Sequence, residues 1–147
     1  TQVGREEGIA FDFESQKRAP NTELAHRVIH FAGTRHQAAP TVEALFRGYF
    51  EQGLNLCELS GLVSTLKRER VALDSRELSE AMLSGVGKQE VASDLNEARE
   101  YGIGGVPLFI FDQRYTVEGA QPLEHFIRLI GKLVAEDTPH LRAQMPF

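Results

Sequence analysis

At Gly102-Ile103-Gly104-Gly105-Val106-Pro107-Leu108-Phe109-Ile110-Phe111 the chain changes character. Before it, apolar residues recur at helical spacing; within it, they run without a break. Leu108-Phe109-Ile110-Phe111 is a short continuous apolar run, Asp112-Gln113-Arg114 has turn chemistry, and Tyr115-Thr116-Val117 is β-branched and aromatic. This predicts an antiparallel hairpin ended by Gly119. A proline at the mouth of a strand cannot donate to the ladder, so it belongs at an edge or a strand start. The three glycines before it permit close backbone approach. Val106–Pro107 is therefore a candidate cis peptide; the alternative is an ordinary helix-to-strand loop with a trans proline.

Working outward, helices surround the hairpin. Asn21 is placed to cap a helix whose stripe is Leu24, Val28, Phe31 and Ala32, with Gly33 ending it in the left-handed conformation. Val42, Leu45, Phe46, Tyr49 and Phe50 mark a second helix, stopped by Gly53. Asn55 and Glu58 have the spacing of a capping box ahead of Leu59, Leu62, Val63 and Leu66. Asp74 and Glu77 repeat that spacing ahead of Leu78, Ala81 and Met82, up to Gly85. Val91, Leu95 and Ala98 mark another helix, ending at Gly102. After the hairpin, Pro122 suits the first position of a final helix with the stripe Leu123, Phe126, Ile127, Ile130 and Val134. The tail beyond Asp137, with Pro139 and Pro146, reads as irregular. The helices between 21 and 102 are expected to share a core of Leu24, Val28, Phe31, Leu45, Phe46, Tyr49, Phe50, Leu59, Leu62 and Leu66.

Near the start, Ile9-Ala10-Phe11-Asp12-Phe13 alternates with period two and reads as an extended segment. Residues 2–8 read as a helix end stopped by Gly8, and the opening on Thr1 reads as a piece of something longer. A lone two-stranded hairpin is marginal in water. An uninterrupted run such as Leu108–Phe111 normally lies in a larger sheet, covered on both faces. Something besides the hairpin is thus expected to complete the sheet: Ile9–Phe13, a second copy in a homodimer, or residues outside this sequence.

With 147 residues the chain suits one domain and can bury a core. Its formal charge is 16 − 21 = −5, and no cluster of Lys and Arg offers phosphates a surface, so nucleic acid is not an expected partner. Lys67-Arg68-Glu69-Arg70 is mixed in sign and reads as a solvated helix end. No apolar run approaches the roughly 20 residues that span a bilayer, and the opening residues have no signal-peptide pattern. The single cysteine, Cys57, cannot form an internal disulfide. It falls in the first turn of a predicted helix, where N–H groups favour a thiolate; a small residue near a cap is the plainer account. His26 and His30 lie four apart, a metal-ligand spacing, but no third ligand accompanies them, so no metal and no cofactor are expected. Asn21 and Thr22 are accounted for as capping residues.

Gly102–Phe111 followed by Tyr115-Thr116-Val117-Glu118-Gly119-Ala120-Gln121-Pro122 resembles the C-terminal half of DsbA-family proteins of the thioredoxin superfamily, above all the FrnE-like branch. The resemblance extends back through Pro20-Asn21-Thr22-Glu23-Leu24-Ala25-His26-Arg27, Leu45-Phe46-Arg47-Gly48-Tyr49-Phe50 and Gly53, from about Gly8 to about Leu133. It implies an α/β fold: one DsbA-like domain fragment over 1–147, with a helical insertion at 21–102 and a thioredoxin-like hairpin and helix at 103–135. It implies a thiol–disulfide oxidoreductase acting on a cysteine-containing protein or a glutathione-like thiol, in the cytoplasm. Gly105, Val106 and Pro107 would bind substrate, the backbone of Val106 pairing with an extended peptide. The sequence departs from the family in lacking Cys-x-x-Cys, so no catalytic residue is assigned and the chain by itself is expected to be inactive. Glutathione-dependent 2-hydroxychromene-2-carboxylate isomerases and kappa-class transferases share Gly-Val-Pro and are the second reading. A non-enzymatic helical binding or dimerisation module is the third.

Overall fold

The structure, a computed structural model, describes residues 1–16 and 19–137. In order it contains α1 (Gln2–Glu6), α2 (Glu23–Gly33), α3 (Ala38–Gln52), α4 (Leu59–Arg68), α5 (Ser75–Ser84), α6 (Lys88–Glu100), β1 (Leu108–Phe111), β2 (Tyr115–Glu118) and α7 (Leu123–Asp137). The described residues form two compact units, which divide between Glu97 and Ala98. The expected tail beyond Asp137 lies outside the described residues.

In the first unit α2 packs on α3 and α5, and α4 packs on the same two helices. The apolar stripes meet inside this ring. Val28, Phe31, Leu45, Leu62 and Leu66 are buried there as their periodicity predicts, joined by Leu78 and Met82, while Leu24, Tyr49 and Leu59 pack at the margin. Phe46 is a correction: it is 56% exposed. The buried face of α3 is Thr41, Ala44, Leu45 and Gly48, a row dominated by small residues. A Cβ at Gly48 would stand 2.8 Å from a Leu54 methyl and 3.1 Å from that of Thr65. Leu54 and Thr65 close on this small-residue row, and Phe46 turns outward. Phe46→Ala should therefore cost about 1 kcal/mol, the scale of its ring contact with Phe50, and not the roughly 3–5 kcal/mol of a core phenylalanine. Urea unfolding measures the difference.

Buried Arg27 joins the two ends of the ring. Its Nε donates to Val86 O at 2.9 Å and its Nη2 to Met82 O at 2.6 Å, at the end of α5. Arg35 adds a surface tie between the same helices, pairing with Glu77 while its guanidinium lies 3.6 Å from the centre of the Phe31 ring.

The helix ends follow the sequence in part. Gly53 and Gly85 are left-handed C-caps, and the Asp74 carboxylate accepts from Glu77 N at 2.7 Å. α2 differs: Thr22 is its N-cap position, with the Asn21 side chain accepting from Glu23 N at 2.8 Å. The left-handed residue beyond it is His36, not Gly33. The Asn55/Glu58 box forms one turn too early. Asn55 accepts from Cys57 N and donates to Glu58 in the turn before α4, whose own N-cap is Glu58.

Ile9–Phe13 is not a strand. Asp12 N donates to Phe50 O at 2.8 Å, and the Phe11 ring stacks on Phe13 at 5.1 Å and meets Phe50 edge-on at 5.6 Å. Alternation here makes an aromatic layer on α3. The Ser15 hydroxyl and N–H hold the Asp12 carboxyl below the usual carboxylate range.

In the second unit β1 and β2 pair antiparallel, with Phe109 opposite Val117 and Phe111 opposite Tyr115. Asp112 and Gln113 both have positive φ, the geometry of a turn that follows the twist of its strands. The Phe126 ring of α7 packs on Phe109 at 5.0 Å, and Tyr115 donates its hydroxyl to Glu136 at 3.0 Å. The sheet has two strands among the described residues, and β1 is not covered on both faces: Phe109 is 38% and Ile110 44% exposed. The predicted α7 stripe divides. Phe126 turns to the hairpin, and Leu123, Ile127, Ile130 and Val134 stay exposed.

Candidate functional site

The loop from Gly102 to Pro107 joins α6 to β1. Gly102, at φ 67, takes the left-handed turn that ends the helix. Gly104 and Gly105 differ from it. Neither has a positive φ, and a Cβ on either would meet nothing within 4 Å. The fold itself does not require glycine at these two places; what the missing side chains provide is bare backbone on the outside of the loop.

The Val106–Pro107 peptide bond is cis. Val106 is 88% exposed, and its N–H and C=O have no hydrogen-bond partner among the described residues. Pro107 is pinned from behind, its carbonyl accepting from Gly119 N at 2.8 Å. Gly119 was legible in the sequence only as the end of the hairpin. The loop borders an open hollow of about 570 Å³, walled by Tyr101 and by Ile110 and Thr116 of the hairpin. One edge of β1 is unpaired among the described residues. The site thus offers a free backbone donor and acceptor at Val106, two residues before a strand with an unpaired edge. An extended peptide can pair with such an edge.

The other candidates stand apart from this loop. Cys57 is exposed and lies in the turn before α4, not within the helix; its thiol donates to Asn21 O at 3.5 Å. His26 and His30 border one hollow on the first unit together with Asn21 and Thr22, and His30 lies 3.8 Å from Glu90. No group of three potential metal ligands occurs among the described residues. Among them, too, no helix is long and apolar enough to cross a membrane.

These features define a thioredoxin-superfamily arrangement: a hairpin entered through a Gly-Val-Pro loop, with a helix packed on it and a helical cluster preceding it. The chain matches the DSBA-like thioredoxin domain over residues 1–131 and belongs to that family. Among solved structures it is similar to a probable DsbA oxidoreductase from Streptomyces coelicolor, with 28% sequence identity and a TM-score of 0.73. The match covers 92% of this chain and 57% of that one, so the chain spans little more than half the length of its structural relative. No curated protein matches the chain.

Proposed function

We propose that these residues form the client-binding part of a FrnE-like protein thiol–disulfide oxidoreductase acting on cysteine-containing polypeptides in the cytoplasm. The observation that supports this most is the bare backbone of Val106 beside the open edge of β1. In disulfide exchange a thiolate attacks a disulfide sulfur, forms a mixed disulfide and expels the other sulfur as a thiolate. The client must be held extended while this occurs. Val106 N–H and C=O supply the main-chain pairing, and Gly104 and Gly105 keep the approach clear. The 147 residues contain one cysteine, Cys57, so the attacking pair is not among them.

The test uses the protein as its gene encodes it. Gly105→Val should place a branched side chain in the client's path and slow catalysed insulin reduction roughly tenfold, a loss of about 1.4 kcal/mol of transition-state binding. Thermal unfolding should be unchanged, since the added atoms meet open space. Full-rate turnover by the variant would sink the assignment of the loop. The 147-residue chain alone should not exceed the uncatalysed rate; turnover there would implicate Cys57.

A further inference from the structure

On the first unit, Ile9, Phe11 and Phe13 together with Phe46 and Phe50 of α3 line an open groove of about 840 Å³. Of these, Phe13 is 50% exposed and Phe46 56%. Single exposed apolar residues are ordinary, but a contiguous cluster marks a binding surface. The charges around it are unequal. Arg47, the one cation lining the groove among the described residues, lies 3.7 Å from Glu69 and is paired with it. Glu43 and Glu51, on either side of Arg47 along α3, have no ion pair or hydrogen bond among the described residues. They are eight residues apart on one helix, about 12 Å along its axis. The groove therefore presents an aromatic floor between two uncompensated carboxylates.

We propose that this groove binds a basic amphipathic helical segment of another polypeptide. Its apolar side chains would lie on Phe13, Phe46 and Phe50. Two of its Lys or Arg residues, about two turns apart, would meet Glu43 and Glu51, an apolar seat with complementary charge at its ends. The exposed ring faces of Phe13 and Phe46 attract cations as well. A small ligand could fill the aromatic floor, but it would not span carboxylates this far apart. The proposal uses no residue of the Gly-Val-Pro loop and does not depend on the oxidoreductase reading.

The probe is a fluorescein-labelled peptide of leucine and lysine patterned as an amphipathic helix, with a counterpart carrying glutamate at every lysine position. Fluorescence anisotropy with the 147-residue chain should show micromolar binding of the lysine peptide, weakened by salt, and none of the glutamate peptide. Glu43→Lys combined with Glu51→Lys should raise Kd at least about tenfold, as should Phe46→Ser. Charge reversal at exposed Glu97 and Glu124, outside the groove, should leave Kd unchanged. All five positions face solvent or the groove, and circular dichroism verifies that each variant is folded. Equal binding of both peptides, or an equal effect of the control reversals, would overturn the proposal. So would sedimentation showing a dimer that Phe46→Ser dissociates and no peptide binding, which would make a second copy of the chain the occupant.

Discussion

Leu62→Ala should destabilise the helical unit by about 3–5 kcal/mol. Leu62 has no exposed surface, and it sits on α4, which packs on both α3 and α5. Its removal opens a void at the centre of the ring. The neighbours that could refill it, among them Val28 and Leu78, are themselves fully buried side chains. Deleting such a side chain loses its transfer free energy and adds the cost of an unfilled cavity. For a unit of this size each kcal/mol corresponds to roughly 4–8 °C in Tm, so the transition should fall by about 12–40 °C or disappear. Thermal unfolding by far-UV circular dichroism reads this directly. A loss below about 1 kcal/mol would show that the ring collapses around the gap, contrary to the close packing described.

Arg27→Ala should cost about 3 kcal/mol, and Arg27→Lys should recover only part of it. The guanidinium is buried, and no carboxylate pairs with it among the described residues. Its charge is met instead by two carbonyls at the end of α5, where the helix dipole places partial negative charge. Alanine leaves those carbonyls without their charged donor, and hydrogen bonds to charged groups contribute about 1.5–3 kcal/mol each. Lysine keeps the charge but cannot reach two acceptors with one planar fork. The order of unfolding midpoints should be wild type, then Lys, then Ala. A lysine variant as stable as wild type would reduce Arg27 to a point charge. An alanine variant as stable as wild type would show that water serves those carbonyls equally well.

Much of the first unit was legible because its stripes are long and its caps are local. Val28, Leu62 and Leu66 could be placed from spacing alone, and Gly53, Asp74 and Gly85 from the chemistry of one residue. Arg27 was not legible, because its partners are backbone carbonyls far along the chain and backbone leaves no residue-type signal. Phe46 misled for a related reason. A stripe drawn through the largest side chains overlooks a face made of Ala44 and Gly48, whose smallness is what lets helices approach. The hairpin was readable to its register ends, yet its surroundings were not, since Leu108–Phe111 has the composition of a covered strand and two of its residues remain partly exposed. In the site, Gly102 announced a helix end, whereas the openness around Gly104 and Gly105 could be seen only in three dimensions.

The Arg27 contacts also set an order of events during synthesis. Its acceptors lie 55 and 59 residues downstream, at Met82 and Val86. At about 5–20 residues per second, a ribosome takes roughly 3–12 s to make that intervening chain. Throughout this interval the α2 segment has a cation and the apolar faces of Val28 and Phe31 with one of its two partner helices not yet made. The nascent chain must therefore hold α2 against α3 alone, or leave it to whatever meets a half-finished polypeptide at the tunnel exit. A codon change that lengthens the pause between α3 and α5 would extend that exposure without altering a single residue of the finished protein.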